Sequence, residues 1–318
     1  MIFNLVFWST LAFVLALLTG RALISFLKKR GIGQYVRDDG PSRHLTKAGT
    51  PTFGGFIFLL PLVLVFIFNP YLKTTSCSLF LFLTLGFAFV GFIDDYLKVI
   101  KKRSLGLKAR QKILLQLILS FILWYYAVNI LELGTKVSIP YFNVSIELGL
   151  WYLPLVLVIG LGASNAVNLT DGLDGLAGGL SFFVLSGYTL VAFLKNENEL
   201  GLLTFVLTFA LLGFLFYNVH PAKIFMGDTG SMALGGALGI VAVLTKTEFL
   251  LPIFGLVFVL EALSVILQVS SFKLRGKRIL RMSPLHHHLE LGGWSEWQVV
   301  LFLWALGLVS TFLGIWGI

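Results

Sequence analysis

The stretch Gly91-Phe92-Ile93-Asp94-Asp95-Tyr96-Leu97-Lys98 closes an apolar run with two carboxylates and a lysine. On a helix, Lys98 returns to the face of Asp94 four residues on. Taken alone this is an interfacial ion pair. It is equally a carboxylate pair able to bind magnesium, hold phosphate beside the lysine, or take a proton. A second run ends Asn165-Ala-Val-Asn168-Leu-Thr-Asp171-Gly172-Leu-Asp174-Gly175. Asn165 and Asn168 share a helix face, and Gly172 and Gly175 are expected to let the backbone turn tightly after each aspartate. An Asx-turn accounts for one Asp-Gly pair, but not for two carboxylates and two carboxamides converging within ten residues.

A third segment runs from Asn218 through His220, Pro221, Lys223 and Phe225 to Gly227-Asp228-Thr229-Gly230-Ser231. Pro221 stops the preceding helix, and Asp228 or Thr229 is placed to cap the next. A glycine-flanked helix start is also an anion site, and Asp228 is placed to hold a hard cation there. Phe225 is an aromatic suited to stacking on a base. A fourth segment, Pro284-Leu285-His286-His287-His288-Leu289-Glu290, lacks a cysteine or a familiar zinc spacing, so its imidazoles suit hydrogen bonding to diphosphate at least as well as metal. Glu261 stands alone in the middle of an apolar run, with Ser264, Gln268 and Ser271 at helical spacing. An interhelical hydrogen bond is the simpler reading of that stripe, although an intramembrane carboxylate is a functional suspect by default.

These segments need elements to hold them, and the composition says which. The chain of 318 residues is 57% hydrophobic and 12% charged, with a mean hydropathy of +0.92. Soluble domains carry about 25% charged residues. Ten apolar spans are expected, at roughly 2–27, 52–69, 77–97, 113–132, 150–168, 176–194, 200–218, 230–246, 249–271 and 297–316. The fold class is an all-α polytopic membrane protein, a single integral membrane catalytic domain over 1–318. The first span has no basic leader and no small-residue cleavage site, so it reads as retained. The eighth is short and glycine-rich, which implies close packing. Val137, Ile139, Val144 and Ile146 flank Pro140-Tyr141-Phe142-Asn143, which predicts a small hairpin between helices 4 and 5. No internal repeat is evident. A single Cys77 rules out an intrachain disulfide.

Lysine and arginine fix the orientation. The odd-numbered loops carry 19 of them and the even-numbered loops carry 4, so the odd loops are read as cytoplasmic and both termini as outside. All seven aspartates, including Asp38 and Asp39, then fall on the cytoplasmic side. The net charge of +9 serves orientation and contact with anionic lipid or phosphate, and no nucleic-acid partner is expected.

With these motifs in place, the chain resembles the bacterial phospho-N-acetylmuramoyl-pentapeptide transferases, a branch of the polyprenyl-phosphate N-acetylhexosamine-1-phosphate transferases. The resemblance runs essentially end to end. It rests on Gly49-Thr50-Pro51-Thr52-Phe53-Gly54-Gly55, Asp94 through Lys98, Asn165 through Gly175, Phe225 through Ser231, and Pro284 through His288. The aspartate motifs belong to the wider superfamily, whereas the triple histidine and the Gly-Thr-Pro-Thr segment are similar to the muramoyl-pentapeptide branch. Phe53 departs from a methionine common in that branch.

The resemblance implies ten transmembrane helices, a homodimer and an active site on the cytoplasmic face of the bacterial inner membrane. It implies magnesium-dependent transfer of phospho-MurNAc-pentapeptide from UDP-MurNAc-pentapeptide to undecaprenyl phosphate in the bilayer, giving lipid I and UMP. By position, Asp228 matches the metal ligand, with Asp171 a second candidate. Asp94, Asp95, Asp171 and Lys98 match the catalytic group, the base lying among the acidic pair. Asn165, Asn168 and Lys112 match substrate-contacting positions. Lys47, Asp174, Asn218 and Phe225 match the uridine pocket, and His286, His287 and His288 a substrate-binding segment.

On residues alone, three other readings stay open, one of them a non-catalytic membrane scaffold, which leaves the converging aspartates unexplained. A GlcNAc-1-phosphate transferase acting on the same lipid shares the aspartates but not the histidines. A secondary transporter of an anionic solute would place polar residues near the midplane of several helices, whereas only Glu261 lies deep.

Overall fold

The computed structural model describes residues 2–33, 49–101, 106–142 and 144–318, so Lys47, Asp38 and Asp39 fall outside the described residues. Among those described, nine helices are long and apolar enough to cross a bilayer. They are α1 (Ile2–Lys29), α3 (Thr75–Ile100), α4 (Ala109–Tyr125, prolonged by a π-turn over Tyr126–Ile130), α5 (Tyr152–Thr170), α6 (Leu176–Leu194), α7 (Asn198–Asn218), α8 (Gly227–Leu244), α10 (Leu256–Arg275) and α12 (Glu296–Trp316). Uninterrupted apolar sequence takes this form because a helix satisfies every backbone group internally.

The second expected span is realised as the shorter α2 (Phe56–Phe68), about 20 Å long by helical rise. It starts late because the residues before it are used elsewhere. Gly54 N donates to Phe225 O at 2.8 Å, Gly55 N to Met226 O at 3.0 Å, and Phe225 N to Pro51 O at 2.8 Å. A Cβ on Gly54 would strike the Phe225 carbonyl, and one on Gly55 the backbone of Gly230. The Gly-Thr-Pro-Thr-Phe-Gly-Gly motif is thus a backbone seam against the segment that leads into α8. The ninth expected span is interrupted as well. A short α9 (Leu251–Phe254) leads through Gly255 into α10.

α8 runs through the centre, packed between α3 and α5, and all its residues from Thr229 to Leu244 are buried. Its glycines permit this approach. A Cβ on Gly235 would meet the backbone of Ala163 and Ser164, and one on Gly236 the ring of Phe87. The hairpin between α4 and α5 forms as expected, with β1 (Lys136–Ile139) antiparallel to β2 (Val144–Glu147) and Lys136 opposite Glu147. Tyr141 joins it to the end of α12, its N donating to Gly317 O at 3.0 Å and its hydroxyl to Leu313 O at 2.8 Å. The hairpin and the C-terminal end of α12 therefore mark one end of the bundle, and the aspartates gather at the other.

Candidate active site

Three helix ends meet at the acidic centre. α3 delivers Asp94, Asp95 and Lys98 in its last two turns, the start of α4 delivers Lys112, and the first turn of α8 delivers Asp228. One oxygen from each of Asp94, Asp95 and Asp228 lies within 4.8 Å of the others. Lys98 Nζ sits 2.7 Å from Asp94 Oδ2 and 3.1 Å from Asp228 Oδ1. Lys112 Nζ donates to Asp228 Oδ2 at 2.6 Å and lies 3.5 Å from Asp94 Oδ1. Asp94 and Asp95 are both buried. The i,i+4 pair read from sequence is real, but it is one edge of a five-residue network drawn from three helices.

The two adjacent aspartates do different work. Asp94 Oδ1 accepts from Leu107 N at 2.8 Å, which fixes the approach to α4. Asp95 caps α8 from a neighbouring helix. Its Oδ1 accepts from Asp228 N at 3.1 Å, and its Oδ2 accepts from Thr229 N at 2.8 Å and Thr229 Oγ1 at 2.7 Å. No residue of the α8 segment supplies a side-chain cap. The cap expected from Asp228 or Thr229 is therefore made by Asp95, leaving the Asp228 carboxylate turned to the lysines. Gly91 allows the approach, since a Cβ there would land on the Asp228 carbonyl.

Asp171 ends α5 just beyond this centre. Burial pushes its carboxyl up to about 8, and the negative charges of Asp228, Asp95 and Asp174 add to the effect against Lys98. Asn168 Nδ2 donates to Ser231 Oγ at 2.8 Å, and Ser231 Oγ donates back to Gly227 O at 3.0 Å, so Asn168 ties α5 to the start of α8. Asn165 Nδ2 donates to Gln116 Oε1 at 2.9 Å and to Leu161 O at 2.8 Å, facing α4. Gly175 has the positive φ expected of a turn glycine, at 78°. Gly172 does not; it is glycine because a Cβ there would press into the His286 ring.

Asp174 belongs to a neighbouring group. Its Oδ2 accepts from Ala222 N at 3.0 Å and lies 3.1 Å from His220 Nδ1, while its backbone N donates to Glu296 Oε1 at 2.8 Å. Asn218 is spent on the same corner. Its Oδ1 accepts from Gly175 N at 3.1 Å and its Nδ2 donates to Ile224 O at 2.9 Å. The Phe225 side chain is half-buried beside the seam. His220 and Glu296 escaped sequence reasoning as partners of Asp174. Glu296 stands 122 positions away, and nothing local marks it.

The histidines ride on α11 (Leu285–Glu290), and each is held differently. His286 is fully buried against Glu261, with Nδ1 3.1 Å from Glu261 Oε2. His287 Nδ1 lies 2.9 Å from Glu290 Oε2, and its ring packs edge-on to His286. His288 Nδ1 accepts from Arg281 N at 3.2 Å. The polar stripe of α10 clasps this same loop. Gln268 Oε1 accepts from Ile279 N and Leu280 N, each at 2.9 Å, and Ser271 Oγ donates to Lys277 O at 2.9 Å. Glu261 thus makes the expected interhelical bond, to α11, while Gln268 and Ser271 serve the loop between α10 and α11.

A bundle of apolar helices with buried carboxylates and lysines gathered at one end is the form of a membrane enzyme that handles anionic groups. Residues 77–246 match the sequence model of glycosyl transferase family 4. Several named proteins align along essentially the whole chain. A phospho-N-acetylmuramoyl-pentapeptide-transferase of Caldanaerobacter subterraneus subsp. tengcongensis is 48% identical, covering 100% of both chains. One of Heliobacterium modesticaldum is 50% identical over 96% of each, and one of Staphylococcus aureus 46% identical over 97% of this chain and 98% of its own. The chain belongs to glycosyl transferase family 4 and, within it, to the phospho-N-acetylmuramoyl-pentapeptide transferases.

Proposed function

We propose that this protein transfers phospho-MurNAc-pentapeptide from UDP-MurNAc-pentapeptide to undecaprenyl phosphate, releasing UMP and forming lipid I. The observation that carries the reading is the convergence of Asp94, Asp95 and Asp228 with Lys98 and Lys112 at one end of a membrane bundle. Both reactants are anionic, so bringing phosphate to diphosphate demands neutralising charge in a site shielded from water. The two lysines supply part of it. Hard carboxylate oxygens within 4.8 Å of one another suit magnesium, with Asp228 the first ligand and Asp171 a second candidate. Magnesium held there would supply positive charge to a diphosphate and to a departing UMP.

The chain's own residues divide the remaining work. Asp94 or Asp95 keeps the acceptor phosphate deprotonated for attack. Asp95 also fixes the direction of the α8 start, and with it Asp228. Lys98 and Lys112 bridge those carboxylates and offer positive charge to the incoming phosphates. The Asp174 corner, with Asn218, Phe225 and Lys47, is assigned to the uridine; Lys47 lies outside the described residues. Asn165, Asn168 and the histidines are assigned to the rest of the donor. This reading takes 1–318 as one catalytic unit, with the acidic end facing the cytoplasm of a bacterial inner membrane and a homodimer as the working form.

The test is product analysis with purified protein, undecaprenyl phosphate, magnesium and one UDP-sugar at a time. UMP release and a labelled lipid product are expected with UDP-MurNAc-pentapeptide and not with UDP-GlcNAc. Preference for UDP-GlcNAc would move the chain to another branch of the superfamily. No UMP from either donor would sink the enzyme reading.

A further inference from the structure

Glu261 and His286 form a buried pair of which only His286 has a place in the proposed chemistry. Both are fully buried. His286 N donates to Glu261 Oε1 at 3.2 Å, and the Nδ1 edge of its ring meets Oε2 at 3.1 Å, so one carboxylate grips both the backbone and the ring of a single residue. A carboxylate only accepts, which assigns the Nδ1 proton to this bond and aims Nε2 away from it. Nε2 is itself buried and has no hydrogen-bond partner among the described residues. It faces Gly172, where a Cβ would collide with it, one residue beyond Asp171. Buried polar atoms are nearly always paired, so a ring nitrogen left bare beside an acidic turn calls for a functional explanation. Packing alone would be served by an apolar residue. Glu261 also stands on α10, 25 positions from His286, so the pair fastens α10 to α11 and sets the His286 ring against the turn after α5.

We propose that Glu261 is a positioning residue for the transfer reaction. It holds the His286 ring so that Nε2, left as an acceptor by the Nδ1 proton, is presented to the Asp171–Gly172 turn, where a hydroxyl of a bound reactant donates the hydrogen bond it lacks. The inference rests on the transferase reading above for its kinetic consequence, but not for its structural one. Orienting partners behind a working imidazole typically matter by about 10–100-fold.

Two measurements test it. The first is a double-mutant cycle on UMP release with Glu261→Ala, His286→Ala and the pair. Glu261→Ala should lower kcat by roughly 10–100-fold with KM for either substrate little changed. The double variant should be no worse than His286→Ala alone. Glu261→Gln keeps an oxygen able to accept from His286 and should recover part of the loss, which also covers the case in which the alanine variant fails to fold. Wild-type kcat in Glu261→Ala, or losses that multiply in the double variant, overturns the proposal. The second is histidine-by-histidine acylation with diethyl pyrocarbonate, read by mass spectrometry on the full-length protein in detergent. His286 should be protected in the wild type and labelled in Glu261→Ala, with His220 unchanged. Equal protection of His286 in both overturns the anchoring whatever the enzyme's activity. A wild type that releases no UMP sinks the transferase reading while the labelling result stands on its own.

Discussion

Asp95 accepts the backbone N–H groups of the second and third residues of α8, from Asp228 at 3.1 Å and Thr229 at 2.8 Å. One helix end thereby sets the orientation of the opposing carboxylate. Asp95→Ala should both unfold more easily, by about 1 kcal/mol for a lost cap, and lose turnover. Thr229→Val removes only the hydroxyl bond to Asp95 and should lose less of either. Thermal melts beside UMP-release assays separate the two, and a Thr229→Val variant as inactive as Asp95→Ala would contradict this division.

Asp228 is held by two lysines, Lys98 at 3.1 Å and Lys112 at 2.6 Å. Asp228→Asn should keep the fold and lower magnesium-dependent turnover by about 10²–10⁴-fold. Near-normal rates at ordinary magnesium would remove Asp228 from the ligand set.

Asp171 gives a pH signature. Its folded-state value of about 8 lies far above the ordinary 3.8, so ionising it opposes folding. The stability it permits is fully present below the ordinary value and is lost as pH rises through about 8. In chelator, Asp171→Asn should therefore melt higher than wild type near pH 8, and the gap should close toward pH 4. Turnover of the same variant should fall. A gap that widens toward acid would reverse the sign and exclude a destabilised carboxylate.

Sidedness is checked by labelling. In a Cys77→Ser background, Lys101→Cys after α3 and Lys195→Cys after α6 should react with an impermeant maleimide from opposite sides of sealed vesicles. Lys101 should be reached from the cytoplasmic side. Access to Lys195 from that side would invert the orientation drawn from the 19-to-4 distribution of basic residues.

What could be read ahead of the structure was whatever is written locally. Apolar run length gave the helices, alternation around Pro140-Tyr141 gave the hairpin, and the Asp94–Lys98 spacing gave one edge of the acidic centre. What escaped was relational. Asp95 reads as half of a carboxylate pair, and its capping of α8 shows only once that helix is brought beside it. Gly172 reads as a turn residue until His286 is placed against it. Gln268 and Ser271 face their own following loop, because Gly276, at φ 64°, turns the chain back on the helix. Contacts spanning more than a hundred positions, such as Glu296 to Asp174, leave no periodic trace in either segment.

The brevity of α2 has a consequence for the lipid around it. A helix of 13 residues stands where a bilayer about 30 Å thick calls for about 20, and lipid answers such a mismatch by thinning around the short element. The seam at Gly54 and Gly55 ties the start of α2 to the residues just ahead of Asp228, so any such thinning would fall beside the acidic centre. Thinning at that place would bring the headgroup layer toward Lys98 and Lys112, so that the proposed acceptor phosphate would arrive by sliding within its leaflet, its hydrocarbon never leaving the oil.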